Sequence, residues 1–117
     1  VLLVDITKQG DGGKIEKELE KANIMLNRNL LPWDIREGRH FTNPGGIRLG
    51  TSEVSRLGMK ESEMKEIADF ISRIVLNKEP PEKVGEEVVE FRKGFQEIHF
   101  CFEKGVKAHS YISILKN

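Results

Sequence analysis

The sequence has little of what several protein classes require. Its 117 residues contain one cysteine, Cys101, which excludes an intramolecular disulfide framework and suits a reducing compartment. No apolar run approaches the roughly 20 residues that span a bilayer, and we expect no signal peptide. Lysine plus arginine and aspartate plus glutamate number 19 each, so the balanced charge does not favour nucleic acid or an anionic membrane. We therefore expect a cytoplasmic protein without nucleic-acid or membrane partners.

Familiar catalytic motifs are absent as well. The histidines His40, His99 and His109 and the single Cys101 are scattered, without the spacing of a zinc site. The glycines at 10–13 are not followed by the Gly-Lys-Ser/Thr of a phosphate-binding loop, and Gly50-Thr51 lacks a nearby histidine and acid in triad order. We expect no metal site and no catalytic residue in this chain, whose role is then binding and positioning.

The most distinctive feature present is the segment Gly45–Thr51, which places Arg48 in a short apolar strand between glycines. Burying arginine is costly unless a partner accepts its planar fork of donors, and glycine lets backbone or ligand approach closely. The pattern predicts a guanidinium presented to a carboxylate or phosphate. The alternative is a strand arginine paired with a neighbouring acid, because structural ion pairs are common.

Hydrophobic periodicity around this segment predicts few strands followed by helices. The predicted elements are a strand at 1–6, a helix near 15–22, a strand at 24–31, a loop at 32–45, a strand at 47–49, a short helix at 53–57 and a longer amphipathic helix at 60–76. This order favours an α+β two-layer sandwich, a small and mainly antiparallel sheet covered by helices. We assign residues 1–104 to one domain and 105–117 to a tail.

A seven-residue apolar rhythm runs from Val84 to Phe102. It predicts one long helix that lies on the domain or on a partner subunit, with Gly94 marking a close crossing. On that helix His99, beside the apolar stripe, is expected to be structural. The β-like patch Tyr111–Leu115 is open between a strand, a docked tail and residues foreign to the domain.

Four segments together carry a family resemblance: Asn27–Pro32, Gly46–Thr51, Arg56–Lys60 and Glu63–Ala68. In this order and spacing they closely resemble the C-terminal domain of serine hydroxymethyltransferase, over about residues 1–103. The resemblance implies a pyridoxal-phosphate enzyme of the aspartate-aminotransferase fold that works as a tight homodimer or tetramer. Members interconvert serine and glycine and transfer the hydroxymethyl carbon to a reduced pterin.

The resemblance also implies roles for individual residues. The arginine matching Arg48 binds the amino-acid carboxylate, in agreement with the interpretation of the strand given above. The asparagine matching Asn29 contacts the pterin ring, and an amide offers the donor and acceptor that suit a pterin edge. Supporting positions are Asn27, Gly46, Gly50 and Thr51.

The chain departs from the family pattern in the loop Asp34–Gly45, which is longer and more basic than usual and has Gly45 where a serine is common. The carrier is therefore open between tetrahydrofolate and a modified archaeal pterin. The lysine that binds the cofactor belongs to a preceding large domain in the family. Because Val1 opens directly into a strand without methionine, we expect more chain before it, and we expect this piece alone to be inactive.

Other interpretations stay open from the sequence. One is the small domain of another pyridoxal-phosphate enzyme, such as an α-oxoamine synthase, although the Asn29–Pro32 spacing argues against it. Another is a stand-alone amino-acid-binding module. A third is a dimerisation piece that uses the apolar stripe from Val84 to Phe102.

Overall fold

A computed structural model describes residues 1–108, in which a three-stranded sheet carries helices on one face. The elements in chain order are β1 (Leu2–Asp5), α1 (Gly12–Lys21), β2 (Asn27–Asn29), β3 (Gly46–Leu49), α2 (Ser52–Arg56), α3 (Glu61–Val75) and α4 (Pro81–Arg92). The predicted α+β architecture is confirmed. None of these helices is both long enough and apolar enough to cross a membrane.

The sheet has the order β1-β3-β2, and both outer strands run antiparallel to β3. They are therefore parallel to each other and joined through α1, with β3 inserted between them. The strand predicted at 24–31 is shorter than expected, since only Asn27–Asn29 pair. The Ile24 amide instead donates to the Leu19 carbonyl at 2.9 Å, so the chain leaving α1 is still closing the helix.

The core lies between the sheet and the helices. Ile47 of β3 is almost fully buried and belongs to a cluster completed by Ile6, Ile15, Leu19, Ala22, Phe70, Ile74, Val75 and Val84. Helices α1 and α4 cross closely at Gly85, where a Cβ would lie 3.1 Å from the Ala22 Cα. Because successive strand residues point to opposite faces, this core fixes which β3 side chains point away from it.

The helix boundaries follow from local chemistry. Asp11 begins α1 by accepting a hydrogen bond from the Lys14 amide at 2.8 Å. Asn23 stops it with a φ of 60°, the left-handed conformation that asparagine tolerates. Gly58, with a φ of 90°, separates α2 from α3, and the Glu63 carboxylate accepts from the Lys60 amide at 2.7 Å where α3 begins.

The apolar stripe is used inside the domain over its first half. Val84 is fully buried, and Val88 and Phe91 pack against the core. The Phe91 ring meets the Phe70 ring of α3 edge-on, with centroids 5.7 Å apart. This part of the stripe covers the domain's own core, as the sequence predicted for a helix lying on the domain.

The prediction that this helix continues to Phe102 is wrong, because α4 ends at Arg92. Beyond it the Ile98 amide donates to the Val106 carbonyl at 2.7 Å, and the His99 amide donates to the Arg56 carbonyl at 2.7 Å. These amides are satisfied outside a helix, and Phe100 has a φ of 59°, which an α-helix does not accept.

Of the two predictions tied to this helix, the close crossing at Gly94 is wrong, whereas the structural role of His99 is not contradicted. Gly94 marks no close crossing, since the only neighbour that a Cβ would meet within 4 Å in the described chain is the Phe91 carbonyl oxygen at 3.7 Å. His99 lies on no helix, although its imidazole packs on Gly58. The predictions for His109 and for the patch Tyr111–Leu115 lie outside the described residues. The domain boundary at 104 stays a prediction.

Candidate functional site

The face of the sheet that points away from the helices gathers the predicted site residues. By the strand register, the residues on this face are Leu3, Asp5, Asn27, Asn29, Gly46 and Arg48. Asn27 stands directly opposite Arg48, a placement that sets their Cβ atoms about 5 Å apart. Asn29 is the diagonal neighbour, at roughly 7–8 Å. The structure thus brings the predicted carboxylate-binding and pterin-binding residues together on one surface.

Arg48 is exposed, and its guanidinium makes no hydrogen bond or ion pair with any residue in the range 1–108. Its diagonal neighbour on β1 is Asp5, the acid closest to it in register. One Asp5 carboxylate oxygen accepts from the Thr7 hydroxyl at 2.6 Å and from the Thr7 amide at 2.9 Å. These bonds, the hydroxyl's first, lower the pKa of Asp5. The acid is engaged in its own turn, and Arg48 stays available to a ligand.

The alternative of a paired strand arginine applies to a different residue. Arg28 of β2 points to the helix side, where its guanidinium lies 3.2 Å from the Glu16 carboxylate of α1. The same carboxylate accepts from the Arg28 amide at 3.1 Å. The guanidinium also lies over the Phe41 ring, 4.8 Å from its centroid. Arg28 therefore connects strand β2 to helix α1 through Glu16 and to the loop between β2 and β3 through Phe41.

Asn29 is half-buried at the end of β2, and its Nδ2 donates to the Leu30 carbonyl at 2.8 Å. That bond fixes the amide plane and leaves Oδ1 and the second N–H for a ligand. Asn27 is exposed, and its side-chain amide makes no hydrogen bond within the part of the chain that the structure describes. The two amides and the guanidinium together form a polar patch able to bind an anion beside a flat polar ring.

The two glycines predicted as supporting positions differ. A Cβ on Gly46 would lie 2.8 Å from the Asn29 carbonyl oxygen and 2.8 Å from Leu31, so the strands approach too closely for a side chain. A Cβ on Gly50 would meet only a Val1 methyl at 4.0 Å. Gly46 is thus required by the fold, whereas the described chain itself sets no such requirement at Gly50.

Thr51 occupies the position that caps α2. Its carbonyl accepts from the Ser55 amide at 2.9 Å, but its hydroxyl does not cap the helix. The exposed hydroxyl lies two residues past the end of β3 that carries Arg48.

The sequence interpretation missed Asp34, whose side chain is fully buried. One carboxylate oxygen accepts from the Leu31 amide at 2.8 Å and from the Gly45 amide at 2.7 Å. A Cβ on Gly45 would lie 2.7 Å from the other carboxylate oxygen and 2.6 Å from the Thr7 methyl, which explains glycine there. The available signal was Pro32 two residues before an aspartate, a combination typical of turns whose side chain bonds to the backbone.

The described residues do not build a pocket for a phosphate-bearing cofactor by themselves. The glycine-lined start of α1 is filled by the loop between β2 and β3, since the Gly12 amide donates to the Pro44 carbonyl at 2.7 Å. A Cβ on Gly13 would lie 2.6 Å from the Thr42 carbonyl oxygen. The open face carries no lysine that could bind a cofactor aldehyde. Its donors fit a carboxylate instead.

Comparison with known proteins gives a consistent result. The family described as serine hydroxymethyltransferase matches residues 1–71. The chain is similar to the serine hydroxymethyltransferases of Nitrosopumilus maritimus, at 49% identity over 97% of this chain and 26% of the relative, and Korarchaeum cryptofilum, at 54% over 89% and 24%. It is also similar to that of Methanocaldococcus jannaschii, at 50% over 89% and 25%. The chain spans about a quarter of the length of these curated relatives.

Proposed function

The chain belongs to the serine hydroxymethyltransferase family, and from this premise we propose that it forms the C-terminal small domain of such an enzyme. The full-length enzyme then has glycine hydroxymethyltransferase activity. It interconverts serine and glycine, with transfer of a one-carbon unit to tetrahydrofolate or a modified archaeal pterin. The task of this domain is to bind the substrate carboxylate.

The observation that carries the proposal is the exposed guanidinium of Arg48, which has no partner in residues 1–108. A guanidinium forms two parallel hydrogen bonds with a carboxylate, so that it fixes the orientation of the acid as well as attracting it. Serine and glycine share this group. The rigid position of Arg48 in the middle strand of the sheet, opposite Asn27, supports a precise hold on it.

Holding the carboxylate contributes to catalysis by orientation. It selects which bond at the amino-acid Cα faces the reacting group, an effect that can amount to several kcal/mol. Pyridoxal phosphate, bound mainly by a preceding large domain of the same polypeptide, supplies the electron sink for cleavage of that bond. The residues of this chain bind and orient the substrate.

The pterin site follows from the same surface. Asn29 offers its Oδ1 and one N–H to the edge of the pterin ring, while its bond to the Leu30 carbonyl holds the amide in place. Asn27 supports the carboxylate, and the hydroxyl of Thr51 is available at the end of the same strand. Gly46 supports the site by letting β2 and β3 approach closely. We assign Gly50 to the same supporting group because the space beside it is open.

Exposed apolar residues of β1 support contact with a further domain, Leu3 on the open face and Leu2 and Val4 on the helix face. Leu2, Leu3 and Val4 of β1 are 38–58% exposed, and contact with the preceding large domain covers them in the full enzyme. We propose that this enzyme is a cytoplasmic homodimer and that the isolated chain is inactive. The family match favours this function over the small domain of an α-oxoamine synthase and over a stand-alone amino-acid-binding or dimerisation module.

The test is the variant Arg48→Ala in the full-length enzyme. We expect cleavage of serine to be abolished while the absorbance of bound pyridoxal phosphate is retained, because the cofactor is held elsewhere. A kcat/KM for serine equal to that of the wild type contradicts the proposal.

A further inference from the structure

The loop between β2 and β3 is closed by a single buried carboxylate. Asp34 is 0% exposed, and its Oδ2 accepts the amides of Leu31 and Gly45 at 2.8 and 2.7 Å. The two amides lie 14 positions apart in sequence, one after the end of β2 and the other directly before β3. One oxygen atom therefore joins the two chain segments just beyond the paired residues Asn29 and Gly46.

These ends carry the two proposed binding residues. Asn29 lies two positions before Leu31, and Arg48 lies three positions after Gly45. Directly between them, the backbones of Asn29 and Gly46 are paired so closely that no Cβ fits on the glycine. A shift of the Asp34 carboxylate therefore moves both strand ends, because its partners lie only two and three positions from Asn29 and Arg48 in sequence.

The second carboxylate oxygen, Oδ1, indicates that Asp34 does more than stabilise a turn. Oδ1 of Asp34 is buried without a hydrogen-bond partner in the described chain, and the Arg39 Nε lies 4.0 Å away. Burying an incompletely paired carboxylate costs free energy. An exposed serine or asparagine would close an ordinary turn at lower cost. The buried group is thus retained for the geometry that it imposes on Leu31 and Gly45.

We propose that Asp34 is a positioning residue that sets the separation between Arg48 and Asn29, and so governs the affinity for the amino acid and for the pterin together. This inference rests on the proposed function of those two residues. It assigns to Asp34 no contact with either ligand.

The first experiment compares Asp34→Ala and Asp34→Asn in the full-length enzyme. Misplacement by about 1 Å can cost up to about a hundredfold, so we expect Asp34→Ala to raise the KM for serine and for the reduced pterin by at least about tenfold each. Asp34→Asn keeps an oxygen able to accept both amides. We expect it to restore both KM values to within about threefold of the wild type.

Glu16→Gln is the matched control. It weakens the ion pair with Arg28 on the helix face of β2, so it perturbs stability without touching the bonds from Asp34 to Leu31 and Gly45. Both KM values should therefore stay at wild-type levels. If Asp34→Ala leaves either KM unchanged, or if Glu16→Gln raises both as strongly, the inference is overturned.

A second measurement needs no variant and covers the case in which Asp34→Ala does not fold. Amide hydrogen exchange is followed at Leu31 and Gly45 in the wild-type enzyme with and without glycine. Glycine offers only a carboxylate to the β3 side, so slower exchange at Leu31, on the β2 side, is the expected result. An unchanged Leu31 amide in the presence of saturating glycine contradicts the coupling.

Arg48→Ala distinguishes a failure of the proposed function from a failure of the role of Asp34. If Arg48→Ala abolishes serine cleavage and Asp34→Ala leaves both KM values unchanged, the proposed function stands and the role of Asp34 falls. If Arg48→Ala leaves kcat/KM for serine unchanged, the proposed function falls, and the role of Asp34 falls with it.

Discussion

The two faces of the sheet use the same residue type in opposite ways. On the helix face Arg28 is engaged by the Glu16 carboxylate and by the Phe41 ring. On the open face Arg48, in the neighbouring strand, has no partner in the described chain. Both arginines carry the same charge, so composition cannot tell them apart. The difference indicates that the paired arginine stabilises the domain, and it supports the proposal that the unpaired one binds a ligand.

The largest expected effect comes from replacing each arginine with methionine in the full-length enzyme. Loss of one partner of a hydrogen-bonded charge pair costs about 2–5 kcal/mol, so Arg48→Met should lower kcat/KM for serine by about a thousandfold. Arg28→Met should leave kcat/KM within about twofold. Its cost should appear in stability, at about 1–2 kcal/mol for the lost guanidinium bond to Glu16.

Steady-state kinetics and chemical denaturation of the two variants measure both quantities. Equal losses of activity in the two variants would erase the distinction between the faces. A stability loss confined to Arg48→Met would reverse it.

A smaller effect distinguishes two residues on the open face. Asn29→Ala should lower the affinity for the reduced pterin by about tenfold, which is the size expected for the loss of a hydrogen bond at the upper end of its usual range. The KM for serine should change much less. Asn27→Ala is the matched variant, because it removes the same amide two residues away on the same face. Pterin and serine titrations of both variants measure the split, and a pterin affinity that falls equally in the two would remove the assignment to Asn29.

The smallest effect concerns acid stability on the helix side. Arg73 of α3 binds Glu87 of α4 through two bonds of 2.7 Å, and this pairing holds the pKa of Glu87 below its ordinary value of 4.5. A lowered folded-state pKa stabilises the fold above pH 4.5 and loses that contribution as the pH falls through the folded pKa.

Glu87→Gln removes the titrating group. We expect the difference in thermal midpoint between wild type and Glu87→Gln to be present at pH 7 and to shrink below pH 4.5. A difference that is constant from pH 7 to pH 3 would show that the charge is not involved. Arg48→Met should show no such pH dependence, since Arg48 has no acidic partner in residues 1–108.

The sequence was sufficient where one residue pattern dominates. The apolar spacing of α3 and the glycine-flanked strand around Arg48 predicted both elements, and Asn23 and Gly58 fall where helices stop. Sequence could not decide which arginine is paired, because this depends on the register of β2 and β3. A shift of one residue in the pairing of β2 with β3 would place Arg28 and Arg48 on the same face.

Two features were beyond pattern analysis for a physical reason. The rhythm from Val84 to Phe102 is continuous in sequence, but the amides of Ile98 and His99 find partners at Val106 and Arg56 that no periodicity encodes. Asp34 acts through backbone groups on either side of a long loop, and a lone aspartate in a polar loop resembles any solvated one.

The closure of the loop by Asp34 has a consequence for how members of this family can diverge. Residues 35–40 are an excursion from a junction that is already closed by the bonds to Leu31 and Gly45, whereas Phe41 contacts Arg28 and Pro44 contacts Gly12. Such an excursion can be lengthened, shortened or exchanged as a cassette with little change to the strands that flank it. Under the function proposed above, the choice of one-carbon carrier can change in this excursion while Arg48 keeps its position in β3.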